Sequence, residues 1–277
     1  MSINVYELVT QRILDQLEKG IIPWRKPWQG GEPINFITRK TYRGVNLLLL
    51  PYGGEWLTFK QAKDSGGNVK RGEKSSLIVF YKTVEKENEN GEKEFYPVLK
   101  YSNIFHLSQC EGIESKIELT APSGTIKPIE TAQDILNGYI TRSGVKLEHI
   151  EGGNHACYSP LSDKITMPGI TQFDSAEEYY STILHEAAHS TGHKSRLDRI
   201  TDTAAFGNGE YSREELTAEI TASMIMNVAG IELPETFQNS VSYIKSWMKK
   251  LREDNKAILA ASGKAQKATD LILGTAG

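Results

Sequence analysis

The sequence predicts an α+β protein built from two domains. Its strongest strand pattern, the apolar runs 77–84 and 95–107 around Asn90-Gly91, is typical of a long β-hairpin in the first half. Apolar residues at helical spacing dominate the second half, most clearly in the run that begins near Ser175. Charge divides the chain in the same way: residues 20–84 carry eleven Lys or Arg against four acids, a net +7, whereas the whole chain is −3.

Before the hairpin, the first half contains helical and irregular segments. The predicted elements are a helix over 3–19 ended by Gly20, an irregular Pro/Trp-rich segment over 22–28, and a short helix over 58–65. After the hairpin, the stretch to Pro128 is poorly patterned and carries Pro122 and Gly124. We therefore expect a first domain over 1–110 and a linker over 111–128.

The second domain, residues 129–277, mixes helices with short strands. In order, we expect a helix from Thr131 to about Arg142, strands over 145–150, 155–159 and 164–167, a helix capped by Ser175 and Glu178, a helix starting at Ser212, and a final helix over 241–262.

Composition excludes several classes of protein. With 39% hydrophobic and 24% charged residues, the chain is typical of a soluble globular protein. No apolar run approaches the length of a membrane span, and charges interrupt the first twenty residues where a secretory signal would be apolar. Cys110 and Cys157 do not form a close pair, so we expect a reduced, cytoplasmic compartment and no membrane partner.

The sequence His185-Glu186-Ala187-Ala188-His189 indicates a metal site. Two histidines four residues apart on a helix project from one face at adjacent turns, as two ligands of a tetrahedral zinc ion must. A glutamate directly after the first histidine is placed to act as general base. A chance match is the alternative, but the helical context argues against it. We expect one zinc ion per chain, with Glu186 catalytic.

A catalytic zinc needs a third protein ligand and one open position. Glu215 is the first candidate, because a glutamate from a second helix is the gluzincin arrangement, and Glu219 one turn later would accept a hydrogen bond from a histidine N–H. Glu219 is also an alternative ligand, as is His193. Equally, Glu215 could merely complete a capping box with Ser212.

Hydrolysis of a peptide bond also needs a donor for the developing oxyanion. Three residues of the second domain that carry a suitable N–H or O–H group are candidates. These candidates are His193, Tyr211 and Tyr158.

In the first half, aromatic residues are interleaved with the basic ones. Cations that follow a phosphate backbone, together with ring faces on which bases stack, are what single-stranded nucleic acid requires. Tryptophans are more often core residues, however, and a charge run is usually a solvated face. Composition alone therefore leaves both interpretations open.

Several segments, taken in order, make the chain resemble a known family. They are Pro23 to Trp28, Asn35 to Asn46, Trp56 to Gln61, Val69 to Lys74, Tyr158 to Pro168, His185 to His193 with Arg196-Leu-Asp-Arg199, and Tyr211 to Glu219. They resemble the antirestriction protein ArdC, whose N-terminal domain is shared with plasmid TraC-type primases. The resemblance extends over nearly the whole chain.

The resemblance implies a domain that binds single-stranded DNA, followed by a gluzincin-like metallopeptidase domain. Such proteins are carried by mobile elements and protect incoming DNA, so components of the host restriction system are further expected partners, and the peptide substrate stays unspecified. The candidate DNA contacts are Trp24, Arg25, Lys26, Trp28, Arg39, Tyr42, Arg43, Asn46, Trp56, Lys60, Lys70, Arg71 and Lys74.

Two hypotheses about function follow. In the first, DNA tethering brings a zinc peptidase to a protein target. In the second, the DNA-binding module shields single strands and the zinc domain is structural. A metal-dependent nuclease is a weaker third hypothesis, because no two-metal carboxylate cluster is evident.

Overall fold

In a computed structural model of the chain, the described residues are 4–19, 21–24, 32–87, 93–117, 128–151, 155–200, 209–231 and 240–275. The chain divides into two compact units, one formed by Met1–Gln16 with Trp28–Thr120 and the other by Leu17–Pro27 with Ala121–Gly277. Helices and strands occur in both units, which confirms the predicted α+β class.

The first unit is organised around a four-stranded sheet. The elements up to residue 111 are α1 (Val5–Leu17), β1 (Pro33–Asn35), α2 (Val45–Leu49), β2 (Gly54–Thr58), α3 (Phe59–Asp64), β3 (Asn68–Val69), β4 (Ser76–Glu87), β5 (Lys93–His106) and β6 (Cys110–Glu111). The sheet has the order β1-β2-β5-β4; β1 and β2 are parallel and the other neighbours are antiparallel. Neighbouring Trp56 and Leu57 point to opposite faces, so each face has its own apolar cluster.

The predicted hairpin is confirmed and is longer than the sequence suggested. β4 and β5 pair without interruption from Ser76↔Ile104 to Glu87↔Lys93. The predicted turn at Asn90-Gly91 lies outside the described residues.

One side of β4 is the edge of the sheet, and the side chain of Asn46 takes the place of a neighbouring strand there. Its amide donates to the carbonyl of Val79 at 2.9 Å and accepts from the Val79 N–H at 2.8 Å. Each such bond contributes about 1 kcal/mol and satisfies an otherwise open backbone group. Asn46 lies on α2, a short helix that the sequence patterns did not predict.

The first part of the predicted linker belongs to the first unit instead. Residues 111–117 belong to the first unit: β6 pairs with β3, and Ser115 and Lys116 donate hydrogen bonds to the buried Glu55 carboxylate. A side chain at Gly67 would overlap the Glu111 carbonyl, so glycine is required at this close approach. The rest of the predicted linker, 118–127, is not among the described residues.

The second unit packs helices against a three-stranded sheet. Its elements are α4 (Pro128–Ser143), β7 (Lys146–Ile150), β8 (Cys157–Ser159), β9 (Lys164–Pro168), α5 (Ala176–Ser190), α6 (Gly209–Ala229), α7 (Ser240–Glu253) and α8 (Ala257–Leu273). The sheet order is β7-β9-β8. α6 contacts α5 and α8 most extensively, and its residues 216–218 and 220–226 are all buried, so it is the central helix of this unit.

Three helix predictions in this unit were wrong in detail. α4 begins at Pro128 rather than after Thr131, since proline is favoured in a first helical turn. α6 begins at Gly209, so Ser212 is not its N-cap. The single final helix is two helices, because the Asp254 side chain accepts from the Lys256 N–H and forms a turn between α7 and α8.

The expected compartment depends on two features of the chain, membrane-spanning helices and disulfide bonds. No helix in the described part of the chain has the length and hydropathy needed to cross a bilayer. Cys110 and Cys157 are both free thiols.

Candidate functional site

α5 carries the two motif histidines. Ser175 begins the helix, and its hydroxyl accepts from the Glu178 N–H at 3.2 Å. Residues such as Ile183, Leu184 and Ala187 bury one side of the helix in the core of the second unit. Packing on that side fixes the helix rotation, and the half-buried histidines project from a different side.

Glu215 of α6 meets these histidines. The Nε2 atoms of His185 and His189 lie 3.0 Å apart, and the Glu215 carboxylate oxygens lie 3.5 Å from His185 Nε2 and 3.4 Å from His189 Nε2. Zinc bonds of about 2.0–2.2 Å in a tetrahedral shell place neighbouring ligand atoms roughly 3.3–3.6 Å apart. The three side chains therefore fit around one small divalent ion.

The electrostatics of this cluster favour a cation. Burial disfavours protonation of His189, but the Glu214 and Glu215 carboxylates outweigh burial and raise the pKa of His189 to about 10. For Glu215, burial acts in the opposite direction and raises the pKa. The hydrogen bonds and charges of the two histidines outweigh burial and hold the pKa of Glu215 well below its usual range. A bound metal ion would take the place of the proton that these carboxylates attract to His189.

The structure places the three candidates for the third ligand differently. Among the described residues, His185, His189 and Glu215 form the group whose ligand atoms lie within 4.8 Å of one another, and neither Glu219 nor His193 belongs to it. α5 ends at Ser190, and His193 lies in the following turn with its Nδ1 2.7 Å from Ser195 Oγ. The capping-box interpretation of Glu215 is wrong, because α6 starts before Ser212.

Glu214 is a residue that the sequence patterns missed. Its carboxylate oxygen lies 3.5 Å from His189 Nδ1, the ring nitrogen that faces away from the cluster. Arg199 donates two hydrogen bonds to the same carboxylate, at 2.7 and 3.2 Å. We expected Glu219 to support a histidine ligand in this way; Glu219 is half-buried one turn beyond Glu215, and that role stays a prediction.

The turn after α5 is fixed by close packing and by a second arginine. A side chain at Gly192 would come within 2.8 Å of Ile200, so Ile200 would have to shift to admit one. Arg196 donates to the Ser190 carbonyl at 2.7 Å and pairs with Asp163.

The Asp163 carboxylate also accepts from the Tyr158 hydroxyl at 2.9 Å, and the Arg196 guanidinium donates to the oxygen of that hydroxyl. Burial and this hydrogen bond raise the pKa of Tyr158. The Tyr158 proton is engaged in this network, which argues against Tyr158 as the oxyanion donor. The side chain of Tyr211 is not among those described.

Two predicted DNA contacts in the basic half of the chain, both tryptophans, are buried. Trp24 is 3% exposed and meets Trp247 edge to face within the second unit. Trp56 is 1% exposed, and its indole N–H donates to the Tyr52 carbonyl. Neither ring offers a face to a base, so the structure does not support Trp24 and Trp56 as DNA contacts.

Other predicted DNA contacts hold the first unit together. Arg39 pairs with the buried Glu55, and the Tyr42 hydroxyl accepts from the Asn35 amide while its ring packs near Trp56. Both polar groups of the Asn46 amide are engaged with β4. Arg25, Lys26 and Trp28 are not among the described residues.

The remaining predicted cations are exposed on the first unit. They are Arg43, Lys60, Lys70, Arg71 and Lys74. Exposed rings from the same interleaving of aromatic and basic residues accompany them, including Phe59 at 50% and Phe80 at 44% exposure. Lys63 lies over the Phe59 ring at 5.7 Å, and Phe80 is opposite Lys100 in the hairpin.

Comparison with known proteins finds a family model that matches each half of the chain. Residues 3–105 match the model of the N-terminal domain of anti-restriction factor ArdC, and residues 134–264 match a zincin-like metallopeptidase model. A crystal structure of the antirestriction ArdC protein from plasmid R388, without metal, has 34% sequence identity and a TM-score of 0.78, covering 98% of this chain and 97% of that one. The chain belongs to the ArdC family. The Mn(II)-bound structure of the R388 protein gives a TM-score of 0.79 at 33% identity, covering 99% of each chain.

Curated relatives of this ArdC-family protein differ in length. The uncharacterized protein y4eC of Sinorhizobium fredii is 30% identical over 96% of this chain and 91% of its own. A DNA primase TraC of Escherichia coli is 36% identical over 97% of this chain, which spans 27% of that relative's length. The zincin-like match contains His185, Glu186, His189 and Glu215, and together with their geometry it indicates a single divalent metal site.

Proposed function

We propose that this protein is an antirestriction protein of a mobile genetic element with a zinc-dependent peptidase in its second unit. The observation that supports it best is the spacing of 3.0–3.5 Å among the His185, His189 and Glu215 ligand atoms. Zinc held there would polarise a peptide carbonyl and lower the pKa of a bound water.

The chain's own groups would handle the protons of this reaction. Glu186 is half-buried, directly after the first histidine ligand, and close enough for its charge to act on His189. It would accept a proton from the attacking water and deliver it to the leaving amine. His193 is the proposed oxyanion donor: Ser195 N–H donates to its Nδ1, so the neutral ring carries its proton on Nε2.

The Glu186→Gln variant tests the peptidase proposal. Both proteins should bind one zinc per chain, whereas the variant should lose cleavage of an unfolded protein such as casein and protection of DNA entering a restricting host. Glu177→Gln on the same helix is the matched control, with both activities retained. If Glu186→Gln keeps zinc and protects DNA as well as the wild type, the metal domain is structural and the binding-protein hypothesis replaces this one.

We further propose that the first unit binds single-stranded DNA, which would locate the protein in the cytoplasm with the incoming strand. Support comes from its match to the ArdC N-terminal domain and from the exposed cations and rings described above. Exposed rings such as Phe59 and Phe80 replace the buried tryptophans as the proposed stacking surfaces.

Binding of a labelled oligonucleotide across salt concentrations tests this second proposal. Lys74→Glu should weaken binding for all sequences and lower the salt slope by about 0.7 for one lost phosphate contact. Phe80→Ala should cost about 1–3 kcal/mol of binding free energy. Lys249→Glu, an exposed change on α7, is the control and should alter neither. Binding that is absent or insensitive to salt would contradict the proposal.

A further inference from the structure

Glu214 and Arg199 form a buried pair beside the metal cluster. The Glu214 side chain is 14% exposed and the Arg199 side chain 5% exposed. We propose that Glu214, held by Arg199, is a positioning residue that orients the His189 ring for metal binding. This inference rests on the proposed role of His189 as a metal ligand.

The two nitrogens of the His189 ring have different neighbours. Nε2 faces His185 Nε2 at 3.0 Å and Glu215 at 3.4 Å, so it is the atom available to a metal. Nδ1 faces a Glu214 oxygen at 3.5 Å. A carboxylate there keeps the ring proton on Nδ1, which leaves the Nε2 lone pair for the ion and restricts rotation of the ring.

Arg199 fixes the Glu214 carboxylate in this place. Its Nη2 and Nε atoms donate to the two Glu214 oxygens at 2.7 and 3.2 Å, a bidentate arrangement. The same guanidinium donates to the Ala188 carbonyl at 3.0 Å and to Thr191 Oγ1 at 2.8 Å, at the C-terminal end of α5. One side chain therefore joins the end of the helix that carries His189 to the start of the helix that carries Glu215.

Arg196 provides a matched comparison within the same turn. Its side chain is also 5% exposed, it also donates to a carbonyl at the end of α5, that of Ser190, and it also pairs with a carboxylate. That carboxylate is Asp163, in the turn between β8 and β9, which is not part of the metal cluster. The two arginines thus have similar structural roles, but only Arg199 acts on a ligand through its partner.

Zinc affinity of the full-length protein tests the inference. Metal-stripped wild type, Glu214→Gln, Glu214→Asp, Arg199→Lys and Arg196→Lys would each be titrated with zinc against a chromophoric chelator. We expect Glu214→Gln to bind zinc about 10–100-fold more weakly and Arg199→Lys to be weakened in the same direction. Arg196→Lys should lose stability to urea as Arg199→Lys does, yet bind zinc within about twofold of wild type, because its contacts do not reach a ligand.

Proton NMR of the zinc-loaded protein gives a readout that a purely structural role would not change. The Nδ1–H signal of His189, assigned with His189→Ala, should be present in wild type and shifted or lost in Glu214→Gln. If Glu214→Gln does not fold after treatment with the chelator, Glu214→Asp is measured instead. This variant keeps the negative charge, but its shorter side chain moves the carboxylate away from His189 Nδ1.

The outcomes separate this inference from the proposed function. Wild type that binds no zinc would overturn the metal site itself. Wild type that binds zinc, with unchanged affinity in both Glu214 variants, would overturn only the positioning role. Equal loss of zinc affinity in Arg196→Lys and Arg199→Lys would also overturn it, because general loosening of the turn would then explain the effect.

Discussion

Replacing Arg39 distinguishes a structural cation from a DNA contact. Glu55 is 2% exposed, and its carboxylate accepts from Ser115 Oγ at 2.7 Å and from the Lys116 N–H at 3.2 Å while pairing with Arg39. Burial raises the pKa of Glu55, but these hydrogen bonds and the Arg39 charge outweigh it and lower the pKa. The carboxylate is therefore charged in the folded protein, and removing Arg39 leaves it without its cation.

The size of the effect follows from this environment. Loss of one partner from a fully buried pair costs about 3–5 kcal/mol. Arg39 is 40% exposed, however, and two other groups continue to donate to Glu55, so Arg39→Met should cost about 2 kcal/mol of unfolding free energy. Because the folded-state pKa of Glu55 is depressed, the stabilisation is present above the unfolded value of about 4 and is lost as pH falls through the folded pKa.

Urea unfolding at pH 7 and pH 3, paired with oligonucleotide binding, measures both effects. Arg39→Met should be less stable at pH 7, and the difference from wild type should narrow at pH 3. Lys74→Met is the matched control: an exposed change that should cost under about 0.5 kcal/mol but weaken binding. Unchanged stability of Arg39→Met together with weakened DNA binding would show that Arg39 is a DNA contact and that this reasoning is wrong.

Three further predictions concern packing and pH. Trp56→Phe should leave single-stranded DNA affinity unchanged in the binding titration, since that ring is 1% exposed; a loss comparable to Phe80→Ala would contradict its assignment to the core. Gly67→Ala should lower stability in urea by about 1–3 kcal/mol, because the new methyl group would overlap the Glu111 carbonyl; unchanged stability would contradict that close approach. Arg196 holds the pKa of Asp163 below its usual range, so this ion pair stabilises the folded protein fully above pH about 4 and ceases to do so as pH falls through the folded pKa. The difference in unfolding free energy between wild type and Asp163→Asn should therefore narrow below pH about 4. A difference that stays constant with pH would count against the ion pair.

Features with a local cause were predictable from the sequence. Alternating apolar residues around a turn predicted the hairpin of β4 and β5, and helical spacing with the Ser175 cap predicted α5. His185 and His189 share one face of that helix because residues four apart always do. Helix ends were less accurate, as at Thr131, since the first turn can start at several nearby residues.

Features that depend on packing between distant segments were not predictable. Arg39 and Asn46 have the residue types of DNA contacts, but their partners, Glu55 and Val79, are brought to them by the fold. Residues 111–117 lack a secondary-structure pattern, yet they complete the first unit because a buried carboxylate needs hydrogen-bond donors.

The sequence by itself determined two metal-ligand candidates, a general-base candidate and a basic first half, because residue type and helical spacing suffice for these. Only the tertiary structure places Glu215, among the candidates Glu215, Glu219 and His193, beside both histidine Nε2 atoms, and only it brings Glu214 and Arg199 to the His189 ring. The physical reason is that the relative position of α5 and α6 comes from burial of their shared core, to which residues far apart in sequence contribute.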